Sequence, residues 1–138
     1  MSGEQGAGGA ERGEDTMTEP LFRFENMQVW QRAADLSGPL FKLAEQLDER
    51  RYFRFAEQLR AATLSITNNI AEGSGSVSDT DFANFLNTAR RSIFEVANML
   101  LIFTREEYLA GAETDPLVPE LAAQSRMLHS FRQTLKRS

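Results

Sequence analysis

The apolar residues recur at intervals of three and four from residue 24 to residue 135, which is the period of one face of an α-helix. The longest series lies between residues 79 and 107 and comprises Phe82, Phe85, Leu86, Ala89, Ile93, Val96, Leu100 and Phe103. No stretch shows the strict alternation of apolar and polar residues that is typical of a half-buried strand. The pattern therefore predicts an all-α domain.

Two helices are predicted in the first half of this periodic region. The first covers residues 26–47, with Asn26 as its N-cap and a kink or break at Gly38-Pro39, because proline removes a helical hydrogen bond. The second covers residues 49–72, and we expect Gly73 to close it as a C-cap.

Two further helices are predicted in the second half. Ser78 is a suitable N-cap for the helix over residues 79–107, which two early aspartates also favour. The fourth helix starts between Gly111 and Asp115-Pro116 and runs toward Leu135. Four helices joined by short turns predict an up-down four-helix bundle.

The N-terminal residues 1–20 differ from the rest in composition. They hold five of the nine glycines and, apart from Met17, no large apolar side chain. Five acids against Arg12 alone give this segment a charge of −4 (Glu4, Glu11, Glu14, Asp15 and Glu19). We expect a disordered acidic tail, followed by one domain over residues 21–138. Because Met17 directly precedes the patterned region, residues 1–16 are also open to interpretation as an upstream extension.

Composition narrows the possible functions of the domain. Residues 21–138 hold 15 acids and 14 bases, and this near-neutral balance argues against a generic basic nucleic-acid binder but leaves local patches open. The chain has no cysteine, and a single histidine, His129. With no membrane-length apolar run and no signal-peptide pattern, we expect a cytoplasmic protein without a membrane partner.

Known catalytic and cofactor motifs are missing from the sequence. Residues 73–76 lack the Gly-Lys-Ser/Thr ending of a phosphate-binding loop. Arg126 occupies the position three residues before His129, so the Glu-x-x-His motif of di-iron bundles is absent. We find no nucleophile–base arrangement for a hydrolase. The sequence therefore favours a non-enzymatic protein without cofactor or metal.

A polar set shared by the second and third predicted helices is the first candidate site. It consists of Ser65, Asn69, Glu72, Ser92 and Glu95. Three interpretations are open. The side chains form a solvated face or one whose hydrogen bonds are satisfied within the subunit, or they form a network that fixes helix register or subunit angle. In the third interpretation, the two glutamates are a catalytic pair.

The third predicted helix also carries a second apolar set, Phe94, Leu101, Ile102 and Tyr108, which points away from its core stripe. Either neighbouring helices of the same subunit cover these residues, or another subunit does.

Nine basic residues form the third candidate set, as possible contacts to a phosphate backbone. Alternatively, they are solvated or pair with Glu45, Asp48 and Glu57. The set comprises Arg50, Arg51, Arg54, Arg60, Arg90, Arg91, Arg132, Lys136 and Arg137.

Short motifs in this chain carry a resemblance to a known family. They are Phe24-x-x-Met27-x-x-Trp30-Gln31-x-Ala33, Gln58-Leu59-Arg60, Ser65-Ile66-x-x-Asn69-Ile70-Ala71-Glu72-Gly73, Phe85-Leu86, Ala89-x-x-Ser92-x-x-Glu95 and Arg126-Met127-Leu128. The chain resembles the four helix bundle proteins encoded within bacterial 23S ribosomal RNA intervening sequences. That family is related to the accessory variability determinant of diversity-generating retroelements.

The resemblance implies a four-helix subunit without enzymatic activity that assembles into a ring, known members being pentamers. For the retroelement members it also implies binding to a reverse transcriptase and to structured RNA. We therefore expect a scaffold or adaptor that presents a repeated surface to a protein or ribonucleoprotein partner. An RNA-binding accessory factor of a reverse transcriptase is the alternative.

Overall fold

The structure, a computed structural model, describes residues 19–137, so the predicted tail over residues 1–20 lies outside it except for its last two residues. The described chain is helical throughout, without strands, which confirms the all-α prediction. Its elements are a 3₁₀ turn (Arg23–Asn26), α1 (Gln28–Glu49), α2 (Phe53–Ser74), α3 (Asp79–Arg105), the short α4 (Gly111–Thr114) and α5 (Leu117–Arg137).

The four long helices pack in the order of an up-down bundle. The pairs α1–α2, α2–α3 and α3–α5 pack extensively, whereas α1 and α5 close the bundle along a much looser seam. Large core side chains that are almost completely buried include Leu40, Leu47, Leu59, Ile70, Phe82, Leu86, Ile93, Leu100, Leu121 and Leu128. The stripe predicted for the third helix thus marks the buried face of α3, since every member except the half-buried Phe85 is buried.

The start and the middle of α1 differ from the prediction. Asn26 is not an N-cap, because it belongs to the 3₁₀ turn, and α1 begins after Met27. The helix also continues across Gly38 and Pro39 without a break. Both residues are exposed, so the missing amide hydrogen bond lies on the solvent side of the helix. Ser78, by contrast, is confirmed as the cap of α3, since its Oγ accepts a hydrogen bond from the amide of Asp81 at 3.1 Å.

Two of the long helices, α1 and α3, end in the same backbone motif. The amide of Tyr52 donates to the carbonyl of Leu47, and the amide of Tyr108 donates to the carbonyl of Phe103, each at 2.8 Å. The residues before the two tyrosines, Arg51 and Glu107, adopt left-handed φ angles of 70° and 64°. This is the Schellman ending, which usually places glycine at the left-handed position.

The repeated ending brings both tyrosines to one end of the bundle. Their ring centroids lie 4.4 Å apart, and Phe55 and Phe103 complete an aromatic cluster. Arg50 also joins the two chain segments at this end, because its guanidinium donates to the carbonyls of Glu107 and Tyr108 at 2.8 and 2.7 Å. The cluster therefore ties the α1–α2 corner to the end of α3.

Gly73 has a different role from the predicted C-cap. α2 continues to Ser74, and Gly75 is the C-cap. A Cβ at Gly73 would lie 2.7 Å from the Cβ of Phe85 and 2.8 Å from Cδ1 of Phe82. Glycine is therefore required here because α2 and α3 approach each other too closely for any side chain.

We expect Gly73→Ala to lower the free energy of unfolding by about 1–3 kcal/mol, because the added methyl overpacks a contact that involves backbone-proximal atoms. Gly38→Ala is the matched control: no atom lies within 4 Å of its Cβ position. That helical, exposed site should gain about 0.5–1 kcal/mol. Urea denaturation of both variants measures the difference, and equal effects would contradict this account of Gly73.

Candidate interaction surfaces

The structure brings together three members of the predicted polar set. The hydroxyls of Ser65 and Ser92 lie 2.7 Å apart across the α2–α3 contact. The Asn69 side-chain amide donates to the Ser65 carbonyl at 2.8 Å and to its hydroxyl at 3.0 Å. Glu72 and Glu95 are exposed, and their carboxylates make no hydrogen bond or ion pair within residues 19–137. The network therefore joins two helices internally and leaves the glutamates outside it.

Because Ser65 and Ser92 share one hydrogen bond, their replacements should be non-additive. In a double-mutant cycle with Ser65→Ala and Ser92→Ala, we expect a coupling of about 0.5–1 kcal/mol in the free energy of unfolding. Ser65→Ala combined with Thr134→Ala, whose hydroxyl bonds within α5, is the control and should be additive. Additivity of the serine pair would show that the hydrogen bond contributes nothing.

Three of the four candidate interface residues lie exposed on α3. The exposed fractions are 57% for Phe94, 56% for Leu101 and 43% for Ile102. Neighbouring helices therefore do not cover them. Tyr108 is placed differently: it is half-buried in the aromatic cluster at the end of the bundle. The apolar patch of α3, as we name it below, consists of Phe94, Leu101 and Ile102.

Exposed apolar side chains also occur on α2. Phe53 and Leu64 are 56% and 47% exposed. Leu64 lies one helical turn after Arg60, which pairs with Asp48 of α1, so Leu64 is on the α1 side of α2. Ser65, which contacts α3, is on the other side. The apolar patch of α3 and Leu64 thus belong to different sides of the bundle.

The nine predicted basic residues separate into two groups. Arg50, Arg51, Arg54 and Arg60 lie at or near the α1–α2 corner. Arg50 is engaged with backbone carbonyls and Arg60 with the carboxylate of Asp48. Arg51 and Arg54 are exposed. Arg50 and Arg60 therefore contribute to the internal structure of the corner, whereas Arg51 and Arg54 lie on its surface.

The second group lies on the side formed by α3 and α5. Arg90 donates to the carbonyl of Ser125 at 3.3 Å and covers the ring of Phe94 at 5.1 Å. Arg132 donates to the carbonyl of Ala83 at 3.1 Å. These bonds cross between the helices in both directions. They leave each guanidinium charged, because a carbonyl does not neutralise it.

We call this side the basic face, consisting of Arg90, Arg91, Arg126, Arg132, Lys136 and Arg137. Sequence reasoning did not include Arg126 among the candidates. The sequence does contain a signal for it, because Arg126 lies within residues 121–137, which, like residues 82–94, contain no Asp or Glu. Ion pairs within residues 19–137 join Arg32 to Glu120 and Arg60 to Asp48, and involve no member of the face. The two groups of basic residues do not form one surface.

The loose seam between α1 and α5 holds a cleft of about 530 Å³. Gln124, which is only 1% exposed, lies at its floor and donates to the carbonyl of Val29 at 2.8 Å. Its Oε1 is buried without a hydrogen-bond partner in the described chain. Sequence reasoning missed this residue, because one glutamine in an amphipathic helix gives no signal.

Two further classes of site are absent from residues 19–137. No group of three or more His, Cys, Asp or Glu side chains is arranged there to hold a metal ion. None of the helices in this range has the length and apolar character needed to cross a bilayer.

The fold therefore defines the class of this protein as a four-helix bundle with these candidate interaction surfaces. Comparison with known proteins identifies its family. The model of the 23S rRNA-intervening sequence protein family matches residues 25–130. The chain belongs to this family, which confirms the resemblance seen in its motifs.

A solved structure agrees with the fold. It is a protein of unknown function from the S23 ribosomal protein family of Bacteroides thetaiotaomicron, similar with a TM-score of 0.72 at 24% sequence identity. The match covers 75% of this chain and 97% of that one. At this identity the likeness concerns the fold alone. No curated protein sequence matches the chain.

Proposed function

We propose that this chain is a non-enzymatic scaffold subunit that assembles head to tail into a homo-oligomeric ring, as the pentamers of its family do, and presents a repeated surface to a partner. The apolar patch of α3 carries this proposal. Phe94, Leu101 and Ile102 remain more than two-fifths exposed in the single chain. A second copy that covers them would remove their apolar surface from water, at about 25 cal/mol per Å².

The position of Leu64 supports a ring rather than a two-fold dimer. In a two-fold dimer the same patch meets itself, whereas a ring joins two different surfaces of neighbouring copies. The apolar patch of α3 and the exposed side chain of Leu64 lie on different sides of the bundle, as a head-to-tail contact requires.

In native mass spectrometry at micromolar concentration, Phe94→Glu is expected to reduce the oligomer to monomers, because a carboxylate would be buried in the interface. Val77→Glu is the control, since Val77 is fully exposed in a loop outside both surfaces. The Phe94→Glu variant should keep its helicity by circular dichroism. A wild-type chain that stays monomeric would contradict ring assembly.

Mixing variants distinguishes the two symmetries. Leu64→Glu alone should also be monomeric in a head-to-tail ring. A mixture of Phe94→Glu with Leu64→Glu should then form dimers but nothing larger, because each pair keeps one intact contact. If Leu64→Glu retains the full wild-type oligomer, the ring contact does not use Leu64 and the head-to-tail arrangement proposed here is wrong.

The basic face favours a second function, that of an RNA-binding accessory factor of a reverse transcriptase. Its six cations lie on the adjacent helices α3 and α5, and none of them forms an ion pair with a carboxylate among the described residues. Such a face can contact phosphates, and a ring would repeat it around its circumference. The nearly neutral charge of the whole domain does not oppose local binding of this kind.

Binding to a structured RNA hairpin, measured by fluorescence anisotropy across a salt series, tests this second function. We expect affinity to fall steeply with salt. The pair Arg90→Gln and Arg91→Gln should lower the salt slope by about one for each phosphate that the variant no longer binds. The control pair Arg51→Gln and Arg54→Gln, at the other end of the bundle, should not change it. No binding at low salt would eliminate this function.

A further inference from the structure

The six cations of the basic face lie on two helices that pack against each other, α3 and α5. α5 from residue 121 onward and the first half of α3 after residue 81 contain only basic charges. At the start of α3, Arg132 and Lys136 line a cleft of about 280 Å³ to which Asp79 contributes a carboxylate. Like charges on one surface repel one another, so an anionic segment placed along it would be stabilised.

The chain itself carries such a segment. Residues 1–18 contain four acids, Glu4, Glu11, Glu14 and Asp15, and one base, Arg12, with a side-chain charge of −3. They have the opposite sign to the basic face. Among the described residues, Asp79 lies beside two of these cations in the cleft that Arg132 and Lys136 line, and residues 82–94 and 121–137 add no acid.

The described chain begins at the correct end of the bundle for this contact. Arg23 donates to the carbonyl of Ser74 at 3.3 Å and covers the ring of Phe82 at 5.2 Å. Phe82 in turn meets the ring of Phe131 at 5.4 Å, next to Arg132. The polypeptide therefore enters the described structure beside the start of α3 and the end of α5, where the basic face starts.

The segment is also long enough. Eighteen extended residues span up to about 60 Å. A helix of 27 residues such as α3 measures about 40 Å. Residues 1–18 can thus reach every cation of the face from their attachment point, without crossing the bundle. Attachment to the same chain gives the segment an effective concentration in the millimolar range.

We propose that residues 1–18 dock along the basic face of the same chain as an internal polyanion and compete there with any phosphate-bearing partner. The competition rests on the proposed RNA-binding function. The docking itself requires only that residues 1–18 and the basic face carry opposite charges. The segment then lowers the affinity for RNA until the partner displaces it.

Paramagnetic relaxation enhancement in the full chain tests the docking. The chain has no cysteine, so Gly9→Cys provides a single attachment site for a nitroxide without altering any charge. At low salt we expect broadening of the amide signals of Arg91, Arg126 and Gln133, but not of Arg54 or Glu57 on α2. Raising the salt should remove the broadening, because the Debye length falls from about 30 Å at 0.01 M to about 3 Å at 1 M.

Three other outcomes would overturn the proposal. These are no broadening, equal broadening over all surfaces, and broadening that appears only when labelled chains are mixed with isotope-enriched unlabelled chains. The last result would place the segment on a neighbouring copy. A variant with Glu4→Gln, Glu11→Gln, Glu14→Gln and Asp15→Asn should lose the broadening, since its charge complementarity is gone.

Heparin serves as the polyanion probe for the competition. The four-substitution variant should bind it about three- to tenfold more tightly than the wild type, because the face is no longer partly occupied. The matched control neutralises four exposed acids elsewhere, Asp35→Asn, Glu45→Gln, Glu49→Gln and Glu57→Gln. An equal gain in this control would show an effect of net charge and refute the competition. Docking without heparin binding would refute RNA recognition while leaving the docking intact.

Discussion

The bundle depends on the close contact between α2 and α3, and this contact exists because Gly73 has no side chain. The Cβ of Phe85 and the ring of Phe82 occupy the space that a Cβ would need. Further along the same contact, the hydroxyls of Ser65 and Ser92 meet at 2.7 Å, which again requires short side chains. Small residues at this contact, Gly73 and Ser65 on α2 and Ser92 on α3, thus allow the two helices to approach closely.

Sequence reasoning predicted the helical class, the four long helices and the cap at Ser78, because apolar period and capping chemistry are local properties. It was wrong about Asn26 as an N-cap, about Gly73 as a C-cap and about a break at Gly38-Pro39. At each of these positions, packing or solvent exposure overrides the structural role that the residue type usually has in a local sequence pattern. Proline is tolerated within α1 because it faces solvent, and the glycine expected to end α2 instead allows a neighbouring helix to approach.

The candidate sites could be predicted from the sequence less completely than the helices. The sequence placed Phe94, Leu101 and Ile102 off the core stripe but left open whether neighbouring helices cover them, and the structure shows them exposed. Tyr108 lies beyond the last turn of α3, where helical spacing no longer fixes its direction. The division of the basic residues between a corner and a face depends on helix order in space, which the sequence does not give. The unpartnered Oε1 of Gln124 depends on the looseness of one seam and could not be foreseen.

That seam between α1 and α5 has a consequence for how the molecule fluctuates. Its helices pack less closely than any other neighbouring pair of long helices. The hydrogen bond from Gln124 to the carbonyl of Val29 and the exposed ion pair between Arg32 and Glu120 span it. Transient separation there breaks little packing and relieves one buried, unsatisfied oxygen. We therefore expect backbone amides along α1 and α5 to exchange with solvent sooner than those of α2 and α3, as the bundle opens along this seam while the α2–α3 pair stays closed.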